Sequence, residues 1–287
     1  MSLSKTLLLG FIAGVTILLG LPIGRLRRPA PGLRLFLNAV AVGVLVFLTW
    51  DVLSAAWEPI DNALGQIHDH EGGYGAAAGY GILFAAGLGV GLVGLVFYEK
   101  WMAAKIQAST RRFGPGAMAV DELKVRNSRL ATWSPARQLA LLIAVGIGLH
   151  NFAEGLAIGQ SAAKGDIALA TLLVIGFGLH NATEGFGIVA PLAGDDEAAR
   201  PSWQFLGLLG LIGGGPTFVG AALGHGFTSE PVSVAFLTLA AGSILYVITQ
   251  LLGIAAKANR RDLLAYGLLL GLLAGFLTDA IVTAGGV

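Results

Sequence analysis

The chain contains no cysteine. Disulfides, thiolate metal sites, thiol nucleophiles and cysteine-ligated iron–sulfur clusters are therefore excluded. Charge is almost as scarce. Asp, Glu, Lys and Arg together make up 12% of the 287 residues, against roughly 25% in an average soluble protein. So few ionic groups cannot cover a soluble globule of this length. Neither sign is in excess: 18 basic and 17 acidic residues leave a net charge of +1, and no stretch reads as a nucleic-acid patch. A soluble enzyme is ruled out.

What the chain has instead is apolar length. Hydrophobic residues are 55% of the sequence, and 43 residues are glycine. Apolar runs of about eighteen or more recur along the whole chain, long enough to span the hydrocarbon of a bilayer. They predict an all-α polytopic membrane protein, a single transmembrane domain over residues 1–287. Eight spans are expected at about 7–21, 35–56, 76–102, 139–160, 167–190, 205–223, 232–252 and 263–282. A single Lys5 precedes the first run, with no compelling small-residue cleavage site, so this run reads as a retained helix. The sixth span is interrupted by Gly213, Gly214, Gly215 and Pro216. Such a break is either a kink lining a cavity or a stretch of small residues for close helix packing.

Charge placement orients the spans. Sixteen of the 18 basic residues lie in or beside the connections after spans one, three, five and seven, among them Arg25, Arg111, Arg200 and Arg260. Only Lys5 and Lys164 lie on the other side. The positive-inside rule makes the basic face cytoplasmic, with both termini outside and a long cytoplasmic loop at 103–138. On the opposite face, Glu58, Asp61, His68, Asp69, His70 and Glu71 follow span two. They either concentrate cations near an entrance or form a solvated linker. Trp50, Trp57, Trp101 and Trp203 fall near span ends, where indole anchors at the interface.

Ionisable groups inside a span are costly and point to function. Span four contains His150-Asn151-Phe152-Ala153-Glu154-Gly155, and span five contains His180-Asn181-Ala182-Thr183-Glu184-Gly185. In each, His and Glu are four residues apart and share one helix face, with Asn on the adjoining surface. Imidazole nitrogen, carboxylate oxygen and amide oxygen all bind divalent first-row metals. Consecutive spans run antiparallel, so the two motifs can meet near midplane. No Lys or Arg lies in the middle of any span to neutralise the two carboxylates. Either they are protonated, as in a proton relay, or a cation visits them.

The paired motifs, in an eight-span chain with a long 3–4 loop, resemble the fourth- and fifth-helix signatures of the ZIP (ZRT/IRT-like) family of divalent metal transporters. The chain is most similar to the prokaryotic branch related to GufA. The resemblance implies a ZIP-like bundle that moves zinc, or iron, manganese, cobalt or cadmium, toward the cytoplasm by elevator-like alternating access, often as a homodimer. It assigns His150, Glu154, His180 and Glu184 to the primary metal site, and Asn151 and Asn181 partly to a neighbouring second one. The sequence departs from the pattern at Gly215, where the family often has an acidic residue before proline, and at Gln250, where many members have Glu. Both departures argue against a full second site. Asp51 corresponds to an acidic position along the family's pathway.

The expected function is divalent metal transport in the cell membrane, or the inner membrane of a Gram-negative bacterium. The partners are the metal ion and the lipid bilayer. The metal is cargo, and no catalytic cofactor is expected. An enzyme is not expected, because HExxH and a substrate-binding domain are both missing. The alternatives are a divalent-cation-selective channel and a proton-coupled transporter of another solute.

Overall fold

An apolar run in hydrocarbon must satisfy its own backbone, and a helix does so within one segment. The computed structural model describes residues 1–25, 31–111, 133–189, 192, 201–257 and 260–284, and among them the regular elements are helices, without a strand. Among the described residues, eight helices are long and apolar enough to cross a membrane. They are α1 (Leu3–Gly20), α2 (Pro31–His68), α3 (Tyr74–Arg111), α4 (Pro135–Lys164), α5 (Ile167–Val189), α6 (Trp203–Gly224), α7 (Glu230–Lys257) and α8 (Arg261–Ala284). The chain is a polytopic membrane protein.

Local chemistry sets several ends. Ser134 caps α4, its Oγ accepting from the Arg137 N–H at 3.3 Å, with Pro135 in the first turn. The same helix stops at Gly165, whose φ of 87° is left-handed. α1 is regular over Leu3–Val15, breaks at Thr16 and resumes over Ile17–Gly20. α6 stays helical through Gly213–Pro216.

One boundary differs markedly from expectation. α2 does not stop near residue 56 but continues through Pro59 to His68. Hydropathy falls away after Trp57, yet Ala63, Leu64 and Gln66 favour helix, and Pro59 removes only one backbone donor. Glu58 and Asp61 are thus helical rather than part of a linker. Of the expected 103–138 loop, α3 takes residues up to Arg111, and 112–132 lie outside the described residues.

The helices fall into two sets, divided by how they touch. A Cβ on Gly148, Gly155 or Gly159 of α4 would strike a carbonyl of α6, and one on Gly220 or Gly224 would strike α4 in return. Gly14 of α1 lies against α6, and Gly185 of α5 against α1. In the same way Gly43 of α2 meets α8, and Gly91 of α3 meets α7. Among the described glycines, every such approach to another helix's carbonyl joins members of α1, α4, α5 and α6, or members of α2, α3, α7 and α8. Between the sets the contact is made by side chains: Leu45, Leu48 and Val52 of α2 and Ile244 of α7 pack with Ala157, Ile158, Leu173 and Phe177 of α4 and α5.

Candidate metal centre

Both motif turns lie well inside their helices, and none of His150, Asn151, Glu154, His180, Asn181 and Glu184 is more than 4% exposed. The spacing of four residues puts His and Glu of each helix on one face. Glycine contacts on either side draw the backbones of α4, α5, α6 and α1 close enough to enclose those faces.

The pairing runs between helices. His150 Nε2 lies 2.8 Å from Glu184 Oε1, and His180 Nε2 lies 3.3 Å from Glu154 Oε1 and 3.8 Å from Glu184 Oε1. The imidazole centroids are 6.5 Å apart, with ring planes 27° from parallel. One ligand atom from each of His150, His180 and Glu184 falls within 4.8 Å of the others. Glu154 is outside that trio and joins the cluster through His180.

The tautomer of His180 sharpens the chemistry. Its Nδ1 is 3.3 Å from the Gly176 carbonyl, which can only accept, so Nδ1 carries the hydrogen. In the neutral ring the lone pair of Nε2 then faces two carboxylates. Such a set of electron-pair donors needs a proton or a metal cation among them. Other buried atoms at the site also accept no hydrogen bond: both oxygens of Glu154, Oε2 of Glu184, and Oδ1 of Asn151 and Asn181. Buried polar atoms are normally paired. Neutral imidazoles with two carboxylates offer four ligands and two negative charges, which suits a divalent ion.

The asparagine amides have protein partners. Asn151 Nδ2 donates to the Gly213 carbonyl and Asn181 Nδ2 to the Ala13 carbonyl, each at 2.9 Å. Nothing in the sequence pattern foretold these acceptors, because a backbone carbonyl has no letter of its own.

The remaining candidates lie away from the cluster. Gly215 borders an apolar groove between α1, α4 and α6. Gln250 is exposed and donates from Nε2 to Glu99 at 2.9 Å. Asp51 is half-buried in α2. His68 and His70 are exposed at the far end of α2. Two further ionisable residues also stand apart from it: His225 meets Thr6 Oγ1 at 3.0 Å through Nδ1, and Glu230 accepts from Tyr80 at 3.0 Å. Trp50, Trp57, Trp101 and Trp203 are all largely exposed, as interface anchors would be.

No protein-family model matches the chain, and no curated protein matches its sequence. The class defined by fold and site is an eight-helix membrane protein with a buried His/Glu cluster able to coordinate a divalent metal.

Proposed function

We propose that the protein is a divalent metal cation transporter of the ZIP type, carrying zinc, with iron, manganese, cobalt or cadmium as further cargo, toward the cytoplasm. The observation that carries this reading is the pair of deeply buried carboxylates, each beside an imidazole of the other helix and, among the described residues, neither paired with Lys or Arg. Burying two such charges uncompensated is very costly, and a visiting M²⁺ removes the cost. His150, Glu154, His180 and Glu184 replace the water of the hydrated ion. The four side chains are almost wholly buried, which suits a bare ion.

Alternating access draws support from the two helix sets. The set that holds the site is locked internally through backbone contacts, and it meets the other set mainly across apolar side chains, with one buried hydrogen bond from Ser233 Oγ to Gln160 Oε1 at 3.0 Å. Such a seam can shift by changing rotamers, whereas a glycine-to-carbonyl contact cannot slide without losing its fit. The ZIP resemblance adds a homodimer and outside termini to the proposal.

Metal-resolved uptake into proteoliposomes, with and without a pH gradient, tests the reading. Saturable M²⁺ uptake at low flux supports a carrier. Large single-channel currents instead mean a channel, and solute flux indifferent to chelators sinks the metal assignment.

A further inference from the structure

The apolar groove between α1, α4 and α6 is too large to be a packing fault. It holds about 1080 Å³, as much as the roomiest of ordinary ligand pockets, which run to roughly 1,000 Å³. Phe11 and Leu18 of α1, Gly148 and Leu149 of α4, and Gly207 and Leu211 of α6 are among its walls, and no lining side chain is polar. Water finds no hydrogen-bond partner among such side chains, and a groove left empty forfeits its dispersion contacts. Hydrocarbon is the filling that these walls favour.

One end of the groove is cationic. Trp203 lies one turn before Gly207, on the same side of α6. Arg25, which ends the short 3₁₀ helix Leu21–Arg25 after α1, lies over the Trp203 ring at 4.8 Å and donates to the Pro201 carbonyl. Arg137 stands in the first turn of α4, three turns before Gly148 and on its side of the helix, and lies over the Phe205 ring at 5.6 Å. The two half-buried guanidiniums therefore flank the first turn of α6. α1 and α6 contain no Asp or Glu, and α4 has none before Glu154. An apolar channel with a cationic mouth matches an amphiphile of opposite charge.

We propose that this groove seats an anionic phospholipid, with an acyl chain between α1, α4 and α6 and the phosphate at Arg25 and Arg137. A guanidinium that gives one N–H to a carbonyl has others to offer a phosphate. The lipid comes from the leaflet on the basic face, cytoplasmic by the positive-inside rule. A second copy of the chain fits the groove less well. Two copies related by a two-fold axis along the membrane normal meet at equal depth, which sets these arginines against their own like. The walls all come from the site-bearing helices, so the lipid belongs to that set rather than to the seam. The proposal stands whether or not the His/Glu cluster holds a metal.

Native mass spectrometry of the detergent-purified protein tests this, with phosphatidylglycerol and phosphatidylcholine of identical chains as the probes. Wild type should bind its first phosphatidylglycerol at least about tenfold more tightly than its first phosphatidylcholine, as two arginines at the membrane surface imply. The preference should shrink as ionic strength rises. Arg25→Gln combined with Arg137→Gln should keep a lipid but lose the preference. Gly207→Phe puts a ring into the groove, with nothing within 4 Å of where its Cβ stands, and should abolish the tight site for both lipids. If the Phe variant does not fold, Gly207→Leu is read in the same way. Equal affinities in wild type, an unaltered preference in the arginine variant, or undiminished first binding in Gly207→Phe overturns the proposal. A preference indifferent to salt overturns the phosphate contact without any variant. Lipid-free dimers that Gly207→Phe dissociates make the occupant a second copy and overturn it equally.

Discussion

Nε2 of His150 lies 2.8 Å from Oε1 of Glu184, which belongs to the next helix. The reciprocal pair, His180 and Glu154, closes at 3.3 Å. Neither helix holds the site alone, so anything that slides α4 along α5 takes both pairs apart together.

Replacing His180 and Glu184 with Ala is expected to reduce M²⁺ flux in liposomes to the protein-free background, with helicity and elution profile unchanged. The single change Glu184→Gln should lower apparent affinity at least ~100-fold, given the about 3–5 kcal/mol lost when a buried ion loses its partner. Undiminished flux in these variants refutes the site assignment.

Protons and metal compete for the same atoms, because the ligands must be neutral imidazole and ionised carboxylate. Acidification therefore raises the half-saturating metal concentration, by up to about tenfold per pH unit for each proton displaced. Alkaline conditions lower it until no proton remains to displace. The check is a series of uptake curves across the histidine range at fixed ionic strength. Affinity that improves on acidification contradicts the proposed ligands.

Gly155 lies where a Cβ would strike the Thr217 carbonyl of α6. Gly155→Leu should force α4 and α6 apart and destabilise the protein by roughly 1–3 kcal/mol or more, the usual cost of overpacking. Gly79 has open space around it, and Gly79→Leu should leave stability nearly unchanged. Thermal unfolding in detergent compares the two. Equal melting temperatures would remove the argument that glycines set the helix spacing.

The missing cysteines make topology directly measurable. A lone cysteine introduced as Gly72→Cys should react with an impermeant maleimide on intact cells, while Ser134→Cys reacts only after permeabilisation. The reverse pattern inverts the orientation read from basic residues and, with it, the direction proposed for transport.

Much of this was legible in the sequence, for physical reasons that also explain the gaps. Apolar runs announce spans because hydrocarbon leaves the backbone no alternative to a helix. The repeated His-Asn-x-x-Glu-Gly announces a shared face because four residues make about one turn. The sequence does not announce the end of a helix that leaves the membrane, since hydropathy stops at Trp57 while α2 continues to His68. It is equally silent on which histidine meets which glutamate, a matter of how α4 and α5 stagger. Pro216 was visible as an interruption, but its use, freeing the Ile212 carbonyl of an otherwise continuous helix, depends on Gly148 standing opposite.

The protruding part of α2 has a mechanical consequence. About twelve residues continue past the expected membrane exit, which at 1.5 Å each is a rod of about 18 Å fixed to the segment in the bilayer. A tilt of α2 by about ten degrees would sweep its far end through about 3 Å over that length alone. The tip near His68 is thus a pointer that magnifies rotations of the helix below it. Spectroscopic labels there can register small tilts of α2 that labels at the seam would average away.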